Sequence, residues 1–351
     1  MFSVSGIKEE IIAYFKDFTK IVHKYGMIVS GDCNSELFHR LEATETDLSV
    51  FKDIGVDILR MDFSFNDKRD ATLINNKEGI KIEMSTSFID VIETAFKNGV
   101  KPENISTCHN FYPERYTAPS LEAINDINNY WKAKNILVAI FISSLVKGSH
   151  GPWPVSDGLP TIEEHRDMPI EIQLKHCLAL DNVDEIIIGN VYASDEEFKA
   201  IDQVMKQVYV DIPKNESLGF LADFVSHGLT KRIPFKIHLD KGITALEKEI
   251  LFNCPSHSDL GDCMNYMLRL RWTRMIYKGK EIPCRPCDKA YYTRGDVVIV
   301  NDNLVHYRGE IQIVLKEMKV DGQRNLLGHI DENEIFILEH IKAKDVFTFV
   351  E

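Results

Sequence analysis

Up to about residue 230, short apolar runs alternate along the chain with longer amphipathic stretches. The runs are rich in Val, Ile or Met and are too short for a helix, as expected of strands that are buried on both faces. Repeated strand–helix units of this kind predict a parallel sheet, either doubly wound or closed into a barrel. The predicted strands are Met27–Asp32, Asp57–Phe63, Ile80–Ser85, Ile105–His109, Ile136–Ser143 and Glu185–Asn190.

The amphipathic stretches predict helices, and several of them begin next to a capping residue. Ser120, Thr161 and Ser194 each come just before acidic residues, a pattern typical of a helix N-terminus. The predicted helices are Ile7–Tyr25, Phe88–Asn98, Ser120–Lys134, Ile162–Leu180 and Asp195–Val208.

Polar residues follow nearly every predicted strand, and this favours a barrel with one site at its top face over an open doubly wound sheet. We therefore predict an α/β fold with a (β/α)8 TIM-type barrel. Phe2–Ser5 is the candidate tip of a seventh strand, whereas a closed barrel needs eight. An open barrel would leave an unpaired strand edge, which favours self-association into a homo-oligomer.

From about Ile233 the pattern changes to short alternating runs separated by turn signals, which predicts a compact antiparallel domain of about 115 residues. The chain is thus expected to divide into a barrel domain, residues 1–232, and a β-rich domain, residues 233–351. The strands predicted in the second domain are Phe235–Leu239, Asp296–Val300, Ile311–Lys316 and Ile335–His340, and the turn pairs are Lys278-Gly279, Arg294-Gly295, Arg308-Gly309 and Asp321-Gly322.

Composition narrows the class of protein. The net charge of −13 disfavours nucleic acid as a partner, and no apolar stretch reaches the roughly 18 residues of a membrane span. The first residues lack the features of a signal peptide, and seven cysteines without framework spacing suit a reducing compartment. We therefore expect a cytoplasmic protein. No nucleotide-binding or HExxH motif is present, so neither a cofactor nor a metal is expected.

The polar strand ends are the first candidates for chemistry. Asp32, Arg60, Asp62 and Glu83 belong to three successive strands of the predicted barrel. Charge is costly inside a sheet unless the groups face a shared pocket, although each group alone could equally belong to an ion-pair network at the bottom of the barrel. Taken together, they favour a site.

A Gly/Pro-rich loop follows the strand that ends at Ser143. It contains Trp153, whose ring could stack on a sugar, and leads into Glu163, Glu164, His165 and Arg166, which we expect in the first turn of the next helix. Favourable interaction with the helix N-terminus is an alternative explanation for the glutamates. Two or more carboxylates with an aromatic platform and arginines suit glycoside cleavage, or proton abstraction in a phosphosugar epimerase or lyase.

Several segments together resemble one bacterial family, the 6-phospho-N-acetylmuramidases, which were long catalogued as uncharacterised or "outer surface" proteins. In the first domain the segments are Cys108–Thr117, Gly151–Arg166 and Ile187–Asn190, and in the second they are Arg294–Ile299, Tyr307–Glu310 and Arg324–Gly328.

The resemblance implies a TIM barrel joined to a cyclophilin-like β-barrel domain. It also implies hydrolysis of the β-1,4 bond in N-acetylmuramic acid 6-phosphate–N-acetylglucosamine during cell-wall recycling. Family members begin with a further strand, helix and strand before the position of Phe2, so we expect the first strand–helix unit to be missing here. They also usually carry asparagine at the position of Ser85.

We hypothesise that the catalytic pair lies among Asp32, Asp62, Glu83, Glu163 and Glu164. The residues expected to orient the sugar are His109, Asn110, Tyr112, Trp153, His165 and Asn190, and those expected to bind its phosphate and lactyl carboxylate are Arg60, Arg115 and Arg166, joined by Arg269, Arg274 and Arg308 if the second domain caps the barrel. Surface salt bridges are an equal explanation for the last three.

Two other functions stay open at this point. A phosphosugar lyase or epimerase would normally use a metal or a Schiff-base lysine, and no predicted strand ends in such a lysine. A sugar-binding protein without turnover is the other alternative, because a barrel that lacks its first unit could bind a sugar without cleaving it.

Overall fold

The computed structural model describes residues 8–151, 157–261 and 264–351. These residues form two compact units. The first consists of Met1–Pro169 with Asp181–Ser194, and the second of Ile170–Leu180 with Asp195–Glu351. The helical segment Ile170–Leu180 belongs to the second unit, although the chain on both sides of it belongs to the first. The two units are therefore not separated by one boundary along the chain, and the division after residue 232 stays a prediction.

The first unit is built on a six-stranded parallel sheet whose strands follow one another in chain order. All six predicted strands are present, and the helices predicted from Ile7, Phe88 and Ser120 are found within two residues of their expected bounds. This is the TIM-like arrangement that the sequence predicts. The strands are β1 (Ser30–Cys33), β2 (Ile58–Met61), β3 (Lys81–Ser85), β4 (Ile105–Cys108), β5 (Leu137–Ile142) and β6 (Glu185–Ile188), and the helices are α1 (Lys8–Lys24), α2 (Ser35–Arg40), α3 (Ser49–Ile54), α4 (Lys68–Ile74), α5 (Ile89–Lys97) and α6 (Leu121–Lys132). The candidate seventh strand, Phe2–Ser5, lies outside the described residues.

The core of this unit forms between the sheet and its helices. Leu59, Met61, Ile82 and Met84 are almost completely buried on the central strands, and Trp131 of α6 joins the same cluster. Ser120 caps α6 as expected, because its side chain accepts a hydrogen bond from the backbone N–H of Ala123 at 3.2 Å. Burial on both faces explains the uninterrupted apolar sequence of β5, where every residue after Leu137 is buried.

The second unit contains a six-stranded mixed sheet in the order β10 (Met267–Leu270), β13 (Ile311–Val314), β12 (Asp296–Val300), β15 (Arg324–Ile330), β9 (Ile233–Leu239) and β16 (Phe347–Val350). Its pairs are antiparallel, as predicted, except for β9 with β16, which run parallel. All four glycines of the predicted turn pairs have positive φ, which glycine adopts at little cost. The strands are β7 (Tyr209–Ile212), β8 (Gly228–Lys231), β9 (Ile233–Leu239), β10 (Met267–Leu270), β11 (Tyr291–Tyr292), β12 (Asp296–Val300), β13 (Ile311–Val314), β14 (Met318–Lys319), β15 (Arg324–Ile330) and β16 (Phe347–Val350), and the helices are α7 (Ile170–Leu180), α8 (Asp195–Val208), α9 (Ala245–Asn253) and α10 (Trp272–Ile276).

Two predicted elements are wrong. The helix expected over Ile162–Leu180 is a short 3-10 turn, Glu163–His165, followed by α7, which begins only at Ile170. Pro169 lies between them in an extended conformation, and a proline disfavours helix in the residue before it. Thr161 does not cap a helix. Its hydroxyl instead accepts from the backbone N–H of Phe141 and donates to the carbonyl of Asn110.

The second error concerns Ile335–His340, which was predicted to be a strand. Residues Ile335–Glu339 form a 3-10 helix instead, and the successive residues Ile337 and Leu338 are both buried. A strand would have placed these two side chains on opposite faces.

Candidate active site

One row of polar side chains crosses four neighbouring strands of the parallel sheet. Asp32, Arg60, Glu83 and Ser106 are partners in register on the neighbouring strands β1, β2, β3 and β4. Residues directly opposite one another in a sheet point to the same face. The three charged residues predicted from separate strands therefore meet, together with a serine that was not predicted.

Arg60 is the centre of this row. Its Nη1 donates to Asp32 Oδ1 at 3.0 Å and to Asp62 Oδ1 at 3.3 Å, and its Nη2 donates to Asn110 Oδ1 at 2.8 Å. The Arg60 side chain is only 9% exposed, whereas Asp32 and Asp62 remain about one-third exposed. The buried guanidinium thus binds two aspartates whose carboxylates are partly exposed to solvent.

Glu83 lies deeper than the aspartates and is 3% exposed. Its Oε1 is 3.9 Å from Arg60 Nε, and its Oε2 accepts a hydrogen bond from Ser106 Oγ at 3.2 Å. Burial raises the pKa of Glu83, and nearby Glu185 adds to the effect, while Arg60 opposes it. Burial likewise raises the pKa of Asp62 despite the contact with Arg60.

The electrostatic balance of this group, which we call the Arg60 cluster (Asp32, Arg60, Asp62, Glu83), favours a bound proton. Three carboxylates surround one guanidinium. Like charges at such distances cannot all be ionised without cost, so at least one carboxyl is pushed toward its protonated form. A carboxyl group whose pKa is raised in this way is a candidate general acid.

Two cysteines next to the cluster are not suited to nucleophilic chemistry. Cys33 follows Asp32 on β1, and Cys108 ends β4. Burial raises the pKa of the Cys33 thiol to about 12 and also raises that of Cys108, and the nearby carboxylates add to both effects. A thiol attacks as the thiolate, so both are expected to be inert.

Glu163 and Arg166 were predicted to face the substrate, but they bind each other and the surrounding backbone. Arg166 donates to both carboxylate oxygens of Glu163, at 2.6 and 2.8 Å, and to the carbonyls of Tyr112, Glu114, Asp157 and Gly158. Glu163 also accepts from the backbone N–H groups of Tyr116 and Ala118. The hydrogen bonds from Arg166 contribute most to lowering the pKa of Glu163 to about 2. We call this pair the Glu163–Arg166 clamp.

The loop that leads into the clamp packs closely against the segments that follow β5 and β6, and this packing depends on glycine. Gly158 has a φ of +86°, and a Cβ there would lie 2.9 Å from Ser143 Oγ. At Gly189, after β6, a Cβ would lie 2.7 Å from the carbonyl oxygen of Leu159. Neither site can take a side chain without displacing the loop, which explains glycine at both positions of the sequence motifs.

Two other residues that were predicted to bind the sugar make hydrogen bonds inside the protein. His109 is buried, with Nδ1 3.3 Å from Thr86 Oγ1 and Nε2 2.6 Å from Asn128 Oδ1 of α6, and burial lowers its pKa. Asn190 accepts from the backbone N–H of Ser144 and donates to the carbonyl of Ser149. These side chains support the loops around the site.

The remaining candidates of the first unit are scattered. Arg115 forms a two-bonded pair with Asp167 at the surface, at 2.7 and 3.1 Å, and Glu164 is exposed. Tyr112 is half-buried, and burial raises its pKa. His165 is completely buried. Trp153 lies outside the described residues.

In the second unit, two of the three predicted arginines share a partner. Arg269 and Arg274 both approach the buried carboxylate of Glu310, at 2.7 and 3.6 Å. Arg308 is paired instead with Asp302 at 2.9 Å.

Some residues of the site were not predicted from the sequence. Ser106 is paired in register with Glu83 and donates a hydrogen bond to it. Side chains alternate between the two faces of the sheet along Ile105–Cys108, but only the strand pairing shows that Ser106 shares a face with Glu83. Asn128, whose side chain is hydrogen-bonded to His109, lies on α6, nineteen positions further along the chain. Nothing in the sequence of α6 indicates this contact.

Two family models match the chain. The model described as "6-phospho-N-acetylmuramidase, N-terminal" matches residues 1–203, and the model described as "6-phospho-N-acetylmuramidase, C-terminal" matches residues 233–350. The chain belongs to the 6-phospho-N-acetylmuramidase family. This confirms the resemblance inferred from the sequence motifs, and the family name is that of a glycosidase.

Solved structures of similar proteins support the fold. An uncharacterised protein from B. cereus is 33% identical, with a TM-score of 0.81 over 97% of this chain and 88% of the other. A conserved protein of unknown function from Enterococcus faecalis is 22% identical, with a TM-score of 0.65 over 97% of this chain and 84% of the other, and it shows the fold alone. No curated protein matches the chain. Among the described residues, no helix is both long and apolar enough to cross a membrane.

Proposed function

We propose that this protein is a cytoplasmic glycoside hydrolase that cleaves the β-1,4 bond of N-acetylmuramic acid 6-phosphate–N-acetylglucosamine in peptidoglycan recycling. Membership of the 6-phospho-N-acetylmuramidase family supports the substrate class. The Arg60 cluster supports the reaction type, since glycosidases generally use two carboxyl groups in different protonation states.

The observation that carries the proposal is the shared contact of Asp32 and Asp62 with Arg60 Nη1. Because both accept from this one nitrogen, at 3.0 and 3.3 Å, their bonded oxygens lie no more than about 6.3 Å apart. That is compatible with the roughly 5–5.5 Å separation of retaining glycosidases and below the roughly 6.5–9.5 Å of inverting ones. We therefore propose hydrolysis with retention of configuration.

The environments of the two aspartates suggest their roles. Burial raises the pKa of Asp62, so this residue is our candidate for the acid that protonates the leaving oxygen. Asp32 accepts the shorter bond from Arg60, so it would stabilise or attack the oxocarbenium-like centre. Glu83, being more deeply buried, would hold Arg60 in position from below together with Asn110.

The experiment is a hydrolysis assay with the phosphorylated disaccharide and its unphosphorylated counterpart. We expect N-acetylglucosamine to be released from the phosphorylated form. Asp62→Asn should lower kcat/KM by about 10²–10⁴-fold, the usual contribution of a positioned general acid. Substrates with a better leaving group should lose less, because they need less help from the acid.

Glu36→Gln is the matched control, since Glu36 is an exposed carboxylate of the same unit and lies 3.6 Å from Arg40. Its activity should equal that of the unchanged protein. Failure to release N-acetylglucosamine from either disaccharide would refute the proposal, as would full activity of Asp62→Asn. An epimerase or lyase would convert the sugar without incorporating oxygen from labelled water into the new reducing end.

A further inference from the structure

The second unit contains an arginine pair whose charge exceeds that of its partner. Arg269, on β10, donates through Nε and Nη2 to the two oxygens of Glu310, at 2.7 and 2.9 Å. Arg274, on α10, brings Nη1 to 3.6 Å from the same carboxylate. Glu310 is completely buried and also accepts from Gln312. Two guanidinium groups therefore share one carboxylate.

The backbone holds these groups in a fixed arrangement. Thr273 Oγ1, which is buried, donates to the carbonyl of Gly309 at 2.6 Å and ties α10 to the turn before Glu310. Gly309 has a φ of +85°, and a Cβ there would lie 3.3 Å from Arg274 Cα. The motif Tyr307–Glu310, noted in the sequence, thus brings its turn directly against the helix that carries Arg274.

Tyr307 lies beside both guanidinium groups. The guanidinium carbons of Arg269 and Arg274 are 5.5 and 5.3 Å from the centre of its ring. Such contacts between a cation and a ring are attractive, yet they supply no negative charge. Arg308, which follows Tyr307 in the chain, pairs with Asp302, and Arg324 pairs with Asp321.

The hydrogen bonding of Arg285, which we take as a structural arginine, differs from that of Arg269 and Arg274. Arg285 uses all three of its nitrogens, donating to Glu247, to Asp240 and to the carbonyl of Leu326. Within the described residues, by contrast, Arg274 makes no hydrogen bond, and Arg269 Nη1 has no partner. Nη1 of Arg274 is buried, but both side chains are one-fifth exposed. The donors available to a ligand are therefore the other unbonded nitrogens, Nη1 of Arg269 and Nε and Nη2 of Arg274.

We propose that Arg269 and Arg274 bind an oxyanion of a small molecule, either a carboxylate or a phosphate group. The planar guanidinium presents paired N–H donors that match two oxygens of such a group. Besides Glu310, the buried carboxylate of Asp259 also acts on Arg269 and accepts from its backbone N–H at 2.9 Å. The oxyanion would accept from the unbonded guanidinium donors, and Tyr307 would line the same site. This proposal does not depend on the hydrolase activity, since it concerns binding to the second unit.

The test is calorimetric titration of the full chain with inorganic phosphate and, separately, with acetate, at constant ionic strength set with chloride. We expect saturable binding of at least one of them, and the tighter ligand identifies the kind of oxyanion. Arg274→Gln should weaken binding by at least about tenfold, and Arg274→Lys, which keeps the charge but loses the paired donors, should weaken it less.

Arg294→Gln is the control, because Arg294 is an exposed arginine of the same unit that is paired with Glu339. It should bind like the unchanged protein. Glu310→Gln removes the internal carboxylate and should tighten binding if the variant folds, as checked by circular dichroism. Absence of saturable binding by either anion would overturn the proposal, and so would binding that Arg274→Gln leaves intact.

Discussion

The Arg60 cluster and the Glu163–Arg166 clamp are made of the same side-chain types in the same unit, but their hydrogen bonding differs. In the clamp, one carboxylate and one guanidinium bond each other twice, and the remaining donors and acceptors go to backbone groups. In the Arg60 cluster, three carboxylates compete for one guanidinium, and two of them stay about one-third exposed.

This difference separates a structural ion pair from a group suited to chemistry. Saturated bonding lowers the pKa of Glu163 to about 2 and keeps it ionised, so it cannot deliver a proton near neutral pH. Unbalanced negative charge and burial act in the opposite direction on Asp62 and Glu83, whose pKa values are raised. The Arg269–Arg274 pair shows the reverse arrangement, with two guanidinium groups at one carboxylate.

The largest effect on stability is expected when Arg60, the centre of the Arg60 cluster, is replaced. Arg60→Met leaves the three carboxylates without their cation, so we expect the free energy of unfolding at pH 7 to fall by about 3–5 kcal/mol. The loss should shrink as pH falls and the carboxyl groups become protonated. Urea denaturation at several pH values measures both effects, and a loss that does not change with pH would contradict the electrostatic explanation.

The clamp predicts a smaller effect with a different pH dependence. Glu163→Gln should lower the free energy of unfolding at pH 7 by roughly 1–3 kcal/mol, the range for hydrogen bonds to a charged group. The folded pKa of Glu163 lies below the ordinary value of 4.5. Its stabilisation is therefore complete above about pH 4.5 and is lost as pH falls toward about 2. Denaturation of both proteins across this range should show the difference disappearing; a constant difference would count against the clamp.

The smallest expected change in stability is at Asp62, where we expect no loss. Because burial raises the pKa of Asp62, its ionised form is disfavoured in the folded protein. Asp62→Asn should therefore leave stability at pH 7 unchanged or raise it by about 0.5–1 kcal/mol, while activity is lost, a common trade-off at functional sites. Thermal unfolding at neutral pH measures it. A marked loss of stability would place Asp62 with the structural ion pairs instead.

The architecture of the first unit was largely predictable because its signals are local. Residues 136–142 are all apolar, which predicts a strand buried on both faces, and all of them except Leu137 are buried. The errors occurred where a distant or adjacent group overrides the local pattern. Ile335–Glu339 reads as a strand but forms a 3-10 helix, and the helix expected at Ile162 is delayed to Ile170 by Pro169 and the turn before it.

The candidate site was predictable in part for the same reason. Asp32, Arg60 and Glu83 could be assigned to one end of one sheet, because the ends of parallel strands meet. The roles of Glu163, Arg166 and His109 could not be read in this way. Whether an acid, a base or an imidazole faces a substrate or a backbone carbonyl depends on loops that are distant in sequence.

The sequence by itself determined the alternation of strands and helices, the change of pattern near Ile233 and the family motifs, since all of these are carried by residues close together in the chain. The tertiary structure alone decided which charged groups are saturated and which are not. That depends on contacts between residues dozens of positions apart, such as Arg60 with Asp32 and with Asn110. The protonation state of a carboxyl is set by the burial and the partners that the fold provides.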